Sequence, residues 1–210
     1  MHKQNRVTHF STLISTPARG TLYGNRGCLH DERGQIRRQF LGLRWIICLL
    51  EFRGRTHPNM KPGRYTGLFF LDEATALAAG HRPCAECQRA RFNLFRETWA
   101  IANPDFTASY RPLAPVIDAV LHSERINSPQ YCNSIEELPD GTFVSDNELD
   151  AYLVLGKQML LWTPDGYKHP KQRQINFPAR ILTPASVVRT LEAGYPTTIH
   201  PSAGITARGR

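Results

Sequence analysis

Residues 69–87 read Phe69-Phe-Leu-Asp-Glu-Ala-Thr-Ala-Leu-Ala-Ala-Gly-His-Arg-Pro-Cys-Ala-Glu-Cys87. The apolar residues before Asp72 predict a strand. Asp72 can cap the N-terminus of the alanine-rich run that follows it, and Gly80 can adopt the positive φ that ends a helix. This stretch therefore predicts a strand and a short helix, after which a new element begins at the cysteine pair.

That new element is a second helix, predicted over residues 85–102. Its apolar residues recur at intervals of three and four, at Phe92, Phe95 and Trp99. Cys84 and Cys87 form a Cys-x2-Cys pair at its beginning. The unpaired N–H groups of a first helical turn favour negative charge, so two thiolates are well placed there.

The cysteine pair predicts a zinc site, because two thiolates at this spacing can both lie about 2.3 Å from one ion. Cys28 and His30 are predicted as the third and fourth ligands, since residues i and i+2 of an extended segment point to the same side. His81 is an alternative to His30. Three thiolates and one imidazole would form a closed, structural Zn²⁺ site.

Other interpretations of the cysteines stay open. The alternatives for Cys84 and Cys87 are a redox pair and plain buried residues without a metal. Cys48 lies in the apolar run Trp45–Leu50 and is most simply a small core residue. Cys132 lies in a polar stretch and has no partner in the sequence.

The stretch 69–87 resembles the second half of the zinc module of Ada methylphosphotriester-repair proteins. That module similarly runs through a strand, a short alanine-rich helix, Gly-x-Arg-Pro-Cys-x2-Cys and a helix. The resemblance covers the N-terminal half only, and it implies that Cys84 and Cys87 correspond to the last two zinc cysteines of the family. The family's first pair is Cys-x3-Cys, where this chain has Cys28-x-His30. Cys28 is the position that could match the methyl-accepting cysteine.

Positive charge is concentrated in the first half of the chain. The net charge is +8, and residues 1–100 carry 16 Lys and Arg against 7 Asp and Glu. A positive field of this kind attracts polyanions, and the guanidinium group suits phosphate contacts. DNA or RNA is therefore the predicted partner, and the predicted contact residues are Arg26, Arg37, Arg38, Arg53, Arg55, Arg64 and Arg82.

The predicted fold class is α+β. Residues 1–108 are predicted to form a small antiparallel sheet with helices and the zinc site. Residues 109–210 are predicted to form a β-rich module that ends in a helix, after a proline-rich boundary. In this second part, short apolar runs read as strands, and two of them meet at Gly156-Lys157, a connection typical of a hairpin.

The function predicted from the sequence is that of a zinc protein that binds nucleic acid. The alternative is an enzyme, either a zinc-thiolate alkyl acceptor that uses Cys28 on DNA phosphotriesters or a hydrolase-like activity that uses His122 and Glu124. The sequence holds no Gly-rich phosphate loop and no Gly-x-Ser-x-Gly elbow. We expect no membrane span and no secretion signal, and hence a cytoplasmic location.

Overall fold

A computed structural model describes residues 2–56, 60–61, 63–127, 130–147, 149–174 and 176–204. It contains a six-stranded mixed sheet, a six-stranded antiparallel sheet, a two-stranded ribbon and four α-helices, the last of them near the C-terminus. The predicted α+β class is confirmed. No helix within these ranges is both long and apolar enough to cross a bilayer.

The first sheet has the strand order β2-β1-β7-β3-β4-β8. The pairs β1–β7 and β4–β8 are parallel and the others are antiparallel, so this sheet is mixed rather than antiparallel as predicted. Between β4 and β7 the chain forms the ribbon of β5 and β6. The strands of this half are β1 (Gln4–Val7), β2 (Leu13–Ser15), β3 (Leu22–Asn25), β4 (Ile46–Cys48), β5 (Glu51–Phe52), β6 (Arg55–Thr56), β7 (Leu68–Phe70) and β8 (Arg82–Pro83).

The second sheet has the order β13-β12-β11-β10-β14-β9, and all its pairs are antiparallel. Leu155 pairs with Gln158, so the predicted hairpin at Gly156-Lys157 is confirmed. The strands are β9 (Gln130–Cys132), β10 (Phe143–Ser145), β11 (Tyr152–Leu155), β12 (Gln158–Thr163), β13 (Gly166–Gln172) and β14 (Ala179–Ile181).

The helices are α1 (Glu73–Ala78), α2 (Arg89–Ala102), α3 (Ala114–Asn127) and α4 (Ala185–Glu192). The Asp72 side chain accepts the backbone N–H of Thr75 at 2.8 Å, and Gly80 has a φ of 77°, so both predicted signals around α1 are confirmed. Helix α2 begins four residues later than predicted. Residues 85–88 form a turn, and the cysteine pair therefore precedes the helix instead of lying on its first turn.

The largest apolar core joins both halves of the sequence. Phe95 and Trp99 of α2 pack in one cluster with Leu121 of α3 and Val187 of α4. A second cluster joins Leu71 and α1 to strands of the antiparallel sheet. The division into modules at residues 108 and 109 stays a prediction, and both cores contain residues from the two sides of it.

Candidate metal centre

Three cysteines meet where β4, β8 and the turn before α2 come together. Cys48 ends β4, Cys84 follows β8, and Cys87 lies in the turn. Their sulfur atoms all lie within 4.8 Å of one another, and this group could hold a metal ion. Cys48 and Cys84 are buried, whereas Cys87 is partly exposed.

Parallel pairing between β4 and β8 produces this meeting point. Ile47 lies opposite Pro83, and the backbone N–H of Cys84 donates to the Ile47 carbonyl at 2.8 Å. Cys84 is thereby held beside Cys48. The Gln88 side-chain amide donates to the same carbonyl at 2.9 Å, which folds the turn back and returns Cys87 to the other two sulfurs.

The pKa values of the three cysteine thiols are shifted in different directions. Hydrogen bonds from the Cys48 and Cys87 thiols hold the pKa of Cys84 well below its ordinary value. The hydrogen bond that Cys48 donates to Cys84, together with those involving Cys87 and burial, raises the pKa of Cys48. For Cys87, the hydrogen bond with Cys48 lowers the pKa, but the bond to Cys84 and desolvation outweigh it and raise the pKa. Of the three cysteines, Cys84 is therefore the one whose pKa is lowered by its neighbours.

The cluster lines a cleft of about 770 Å³. All three cysteines face this cleft, and its other walls come from β5, β6 and the first turn of α3. Arg44 and Arg53 line it and are exposed. Tyr65 and Phe52 contribute partly buried aromatic surface. The three-cysteine group can therefore be reached from outside.

A buried ion pair lies beside the cluster. Arg82 of β8 donates from Nε and a terminal nitrogen to the two carboxylate oxygens of Asp118, each at 2.9 Å. Their side chains are only 2% and 6% exposed. The Arg82 guanidinium also lies over the Phe92 ring at 5.0 Å. This pair fixes the position of β8, and hence of Cys84, against α3.

Cys28 and His30, the predicted third and fourth ligands, are not members of the three-cysteine group. The Cys28 thiol lies 3.6 Å from the His30 carbonyl. Both ring nitrogens of His30 have other polar neighbours, Thr66 Oγ1 at 2.6 Å and the Lys61 carbonyl at 3.2 Å. Of the predicted set, the structure brings together Cys84 and Cys87 alone. Cys28, the predicted alkyl acceptor, thus lies outside the three-cysteine group.

The other histidine candidates pack against aromatic rings and are not members of the three-cysteine group. His81 is fully buried between the rings of Trp45 and Phe70, at centroid distances of 5.2 and 4.7 Å, and burial holds its pKa well below the ordinary value. His122 packs against Phe40 at 4.9 Å.

Glu124, the other residue of the predicted hydrolase-like site, also has partners of its own. It accepts the backbone N–H of Ser186 at 3.0 Å and its hydroxyl at 2.6 Å.

The predicted nucleic-acid contacts divide into exposed and buried arginines. Arg37, Arg38, Arg53 and Arg64 are exposed, and Arg37 donates to Asp31 at 2.7 Å. The Arg55 side chain lies outside the described part of the structure.

Arg26 and Arg82 need correction as surface contacts, because both are almost fully buried. Arg26 donates to the Ser11 side chain and carbonyl and stacks over Trp45 at 4.4 Å, while Arg82 is paired with Asp118. Neither side chain presents its guanidinium on the surface of the protein.

Comparison with known proteins returns no relative: no family model, no curated protein and no solved structure matches the chain. Its function is therefore argued from the geometry of the cysteine cluster and its cleft.

Proposed function

We propose that the protein is a zinc protein in which Cys48, Cys84 and Cys87 hold one Zn²⁺. The observation that carries this proposal is the approach of three sulfur atoms to within 4.8 Å of one another. Tetrahedral zinc with sulfur at about 2.3 Å needs sulfur atoms about 3.8 Å apart. Small side-chain adjustments would close the three sulfur atoms on an ion.

The donor set favours zinc among the common metals. Thiolates are soft ligands that suit zinc, whereas Mg²⁺ and Ca²⁺ take oxygen ligands. An ion at this point would join β4 to β8 and the turn before α2, which follow one another in the chain but are distant in sequence from β4. It would therefore stabilise the edge of the mixed sheet as well as form a site.

The Ada-like assignment of the N-terminal half is part of this proposal. The order β7, α1, β8, cysteine pair and α2 agrees with the order of elements in the module that the sequence resembles. The third cysteine differs, because Cys48 comes from a neighbouring strand, whereas the family uses a Cys-x3-Cys pair.

The test is the zinc content of purified protein, measured by inductively coupled plasma mass spectrometry. We expect about one zinc per chain in the wild type, and loss of most of it in Cys48→Ser, Cys84→Ser and Cys87→Ser, because each removes one thiolate. Cys132→Ser is the matched control, since Cys132 lies on β9 and outside the cluster.

Two further variants separate this set from the one predicted from sequence. Cys28→Ser and His30→Ala are expected to keep their zinc. Full zinc in Cys48→Ser together with loss in Cys28→Ser would contradict the proposal. Cys87→His, which keeps a zinc-binding side chain, is expected to retain more metal than Cys87→Ser, and this difference separates ligand loss from misfolding.

Nucleic-acid binding is a second candidate function, favoured by exposed arginines in the first half of the chain. Arg38, Arg53 and Arg64 are exposed, and the whole chain carries a net charge of +8. Affinity for a labelled oligonucleotide, measured by fluorescence anisotropy, is expected to fall steeply with salt as counterions are released. It is expected to weaken in Arg38→Gln and Arg64→Gln but not in Arg26→Gln provided that variant folds. Affinity that does not change with salt would count against this function.

A further inference from the structure

The cysteine group supplies three ligands to an ion that binds four. Within the described ranges, no fourth Cys, His, Asp or Glu joins the group. Zinc with four protein ligands is typical of structural sites, whereas three protein ligands leave one position for water or another molecule. The number of ligands therefore raises the question of what completes the coordination.

The position of the cluster indicates where a fourth ligand would enter. All three cysteines line the 770 Å³ cleft, which is large enough for a small molecule. Cys87 is partly exposed, and its neighbour Glu86, which also lines the cleft, is exposed. The cleft side of the ion is thus open to exchange with solvent.

Charges around the cleft select the kind of ligand. Arg44 and Arg53 line it with exposed guanidinium groups. Arg82 and Asp118 also line it, but their bidentate pair cancels both charges. Glu86 is the remaining acid on the wall. The two exposed guanidinium groups on the wall can therefore donate charge-assisted hydrogen bonds to an oxyanion.

The backbone at Arg53 supports a role for this side chain. Arg53 and Gly54 connect β5 to β6, and their φ angles are 53° and 69°. A two-residue hairpin turn with both φ values positive favours Asn-Gly, and a left-handed arginine is uncommon there. The Arg53 guanidinium lies over the Phe52 ring at 5.0 Å. An arginine is held at the cleft although asparagine would suit the turn better.

We infer that the bound ion keeps its fourth position for a small anionic molecule, which gives one donor atom to the metal and its oxyanion to Arg44 and Arg53. This inference rests on the proposed zinc site. The oxyanion is a phosphate, sulfonate or carboxylate, the groups that guanidinium binds well. The protein is then a binding or processing site for such molecules, rather than one that uses zinc for stability alone.

The experiment uses protein in which Co²⁺ replaces zinc, because the visible spectrum of cobalt reports its ligands. The titrants are 2-mercaptoethanesulfonate and 2-mercaptoethanol, which share a thiol donor but differ in the anionic group. We expect both to change the cobalt bands, and the sulfonate to bind about fivefold more tightly through two exposed ion pairs. Equal affinities, or no spectral change with either thiol, would overturn the inference.

Three variants sharpen this experiment. Arg53→Asn fits the turn and removes the charge. The double variant Arg53→Asn with Arg44→Gln is expected to lose the preference for the sulfonate, while its affinity for 2-mercaptoethanol is expected to stay unchanged. Arg64→Gln, exposed but not on the cleft wall, is expected to keep the preference. A preference that survives in Arg53→Asn and Arg44→Gln would contradict the role of these arginines.

A last comparison asks whether the chain itself supplies the fourth ligand. His57 lies outside the described residues, and His57→Ala is expected to leave the cobalt bands of the free protein unchanged. Altered bands in His57→Ala, with no response to thiols in the wild type, would overturn the inference but keep the metal site. Absence of any cobalt–thiolate band in the wild type would remove both.

Discussion

Asp118→Ala is expected to lower the free energy of unfolding by about 3–5 kcal/mol, because it leaves the buried Arg82 guanidinium without its counter-charge. Both Asp118 oxygens accept from Arg82, and both side chains are almost fully buried. Urea denaturation followed by tryptophan fluorescence measures the loss.

Two comparisons make this expectation specific. The double variant Arg82→Met with Asp118→Leu is expected to lose less stability than Asp118→Ala, because it removes both charges and refills the space. Asp165→Ala breaks an exposed ion pair with Lys168 and is expected to leave the urea midpoint nearly unchanged. A loss in Asp118→Ala no larger than that in Asp165→Ala would contradict the buried pair.

Asp72→Ala is expected to cost a similar amount, about 3–5 kcal/mol, because it removes a helix cap and leaves several buried donors without an acceptor. One Asp72 oxygen accepts the Thr75 N–H and hydroxyl at 2.8 and 2.7 Å. The other accepts the Tyr167 hydroxyl at 2.7 Å and the His200 N–H at 2.9 Å. This single carboxylate joins α1, the antiparallel sheet and the C-terminal segment.

Asp72→Asn separates the two parts of this role. Its amide oxygen can still cap Thr75, but its NH₂ group cannot accept from Tyr167 or His200, so we expect a smaller loss than in Asp72→Ala. Limited proteolysis near residue 200 is expected to speed up in both variants. Asp146→Ala, at an exposed position, is the control. Equal stability of Asp72→Ala and Asp146→Ala would refute the proposed anchoring.

Local signals predict much of the fold. The cap at Asp72, the stop at Gly80 and the hairpin at Gly156-Lys157 each depend on a few neighbouring residues, and each is confirmed. Pairing between distant strands was beyond such signals. The mixed character of the first sheet arises because α1 carries the chain across β3 and β4 before β8 pairs parallel with β4.

The candidate site shows the same division. The Cys-x2-Cys spacing identified Cys84 and Cys87, but Cys48 was interpreted as a core residue because it lies inside an apolar run. It is in fact both buried and part of the cluster, since Ile47 and Pro83 lie opposite each other. The sequence does not reveal that register. The apolar run that contains Cys48 predicted a strand, but it did not indicate that this strand would pair with the segment before Cys84.

Burial of charged residues is likewise a tertiary property. Arg26 belongs to a basic stretch that suggested a surface, but its side chain is 1% exposed and stacks on Trp45. Net charge describes the chain as a whole and does not reveal which guanidinium groups have internal acceptors. The exposed Arg44 and Arg53, which line the cleft, were distinguishable from the buried arginines only in three dimensions.

Zinc K-edge X-ray absorption of the zinc-loaded protein tests the central claim most directly, because it counts the sulfur atoms bound to the metal. The account predicts three sulfur ligands at about 2.3 Å in the wild type and in Cys28→Ser. In Cys48→Ser, we expect fewer sulfur ligands around the zinc that remains bound. An unchanged count of sulfur ligands in Cys48→Ser would contradict it.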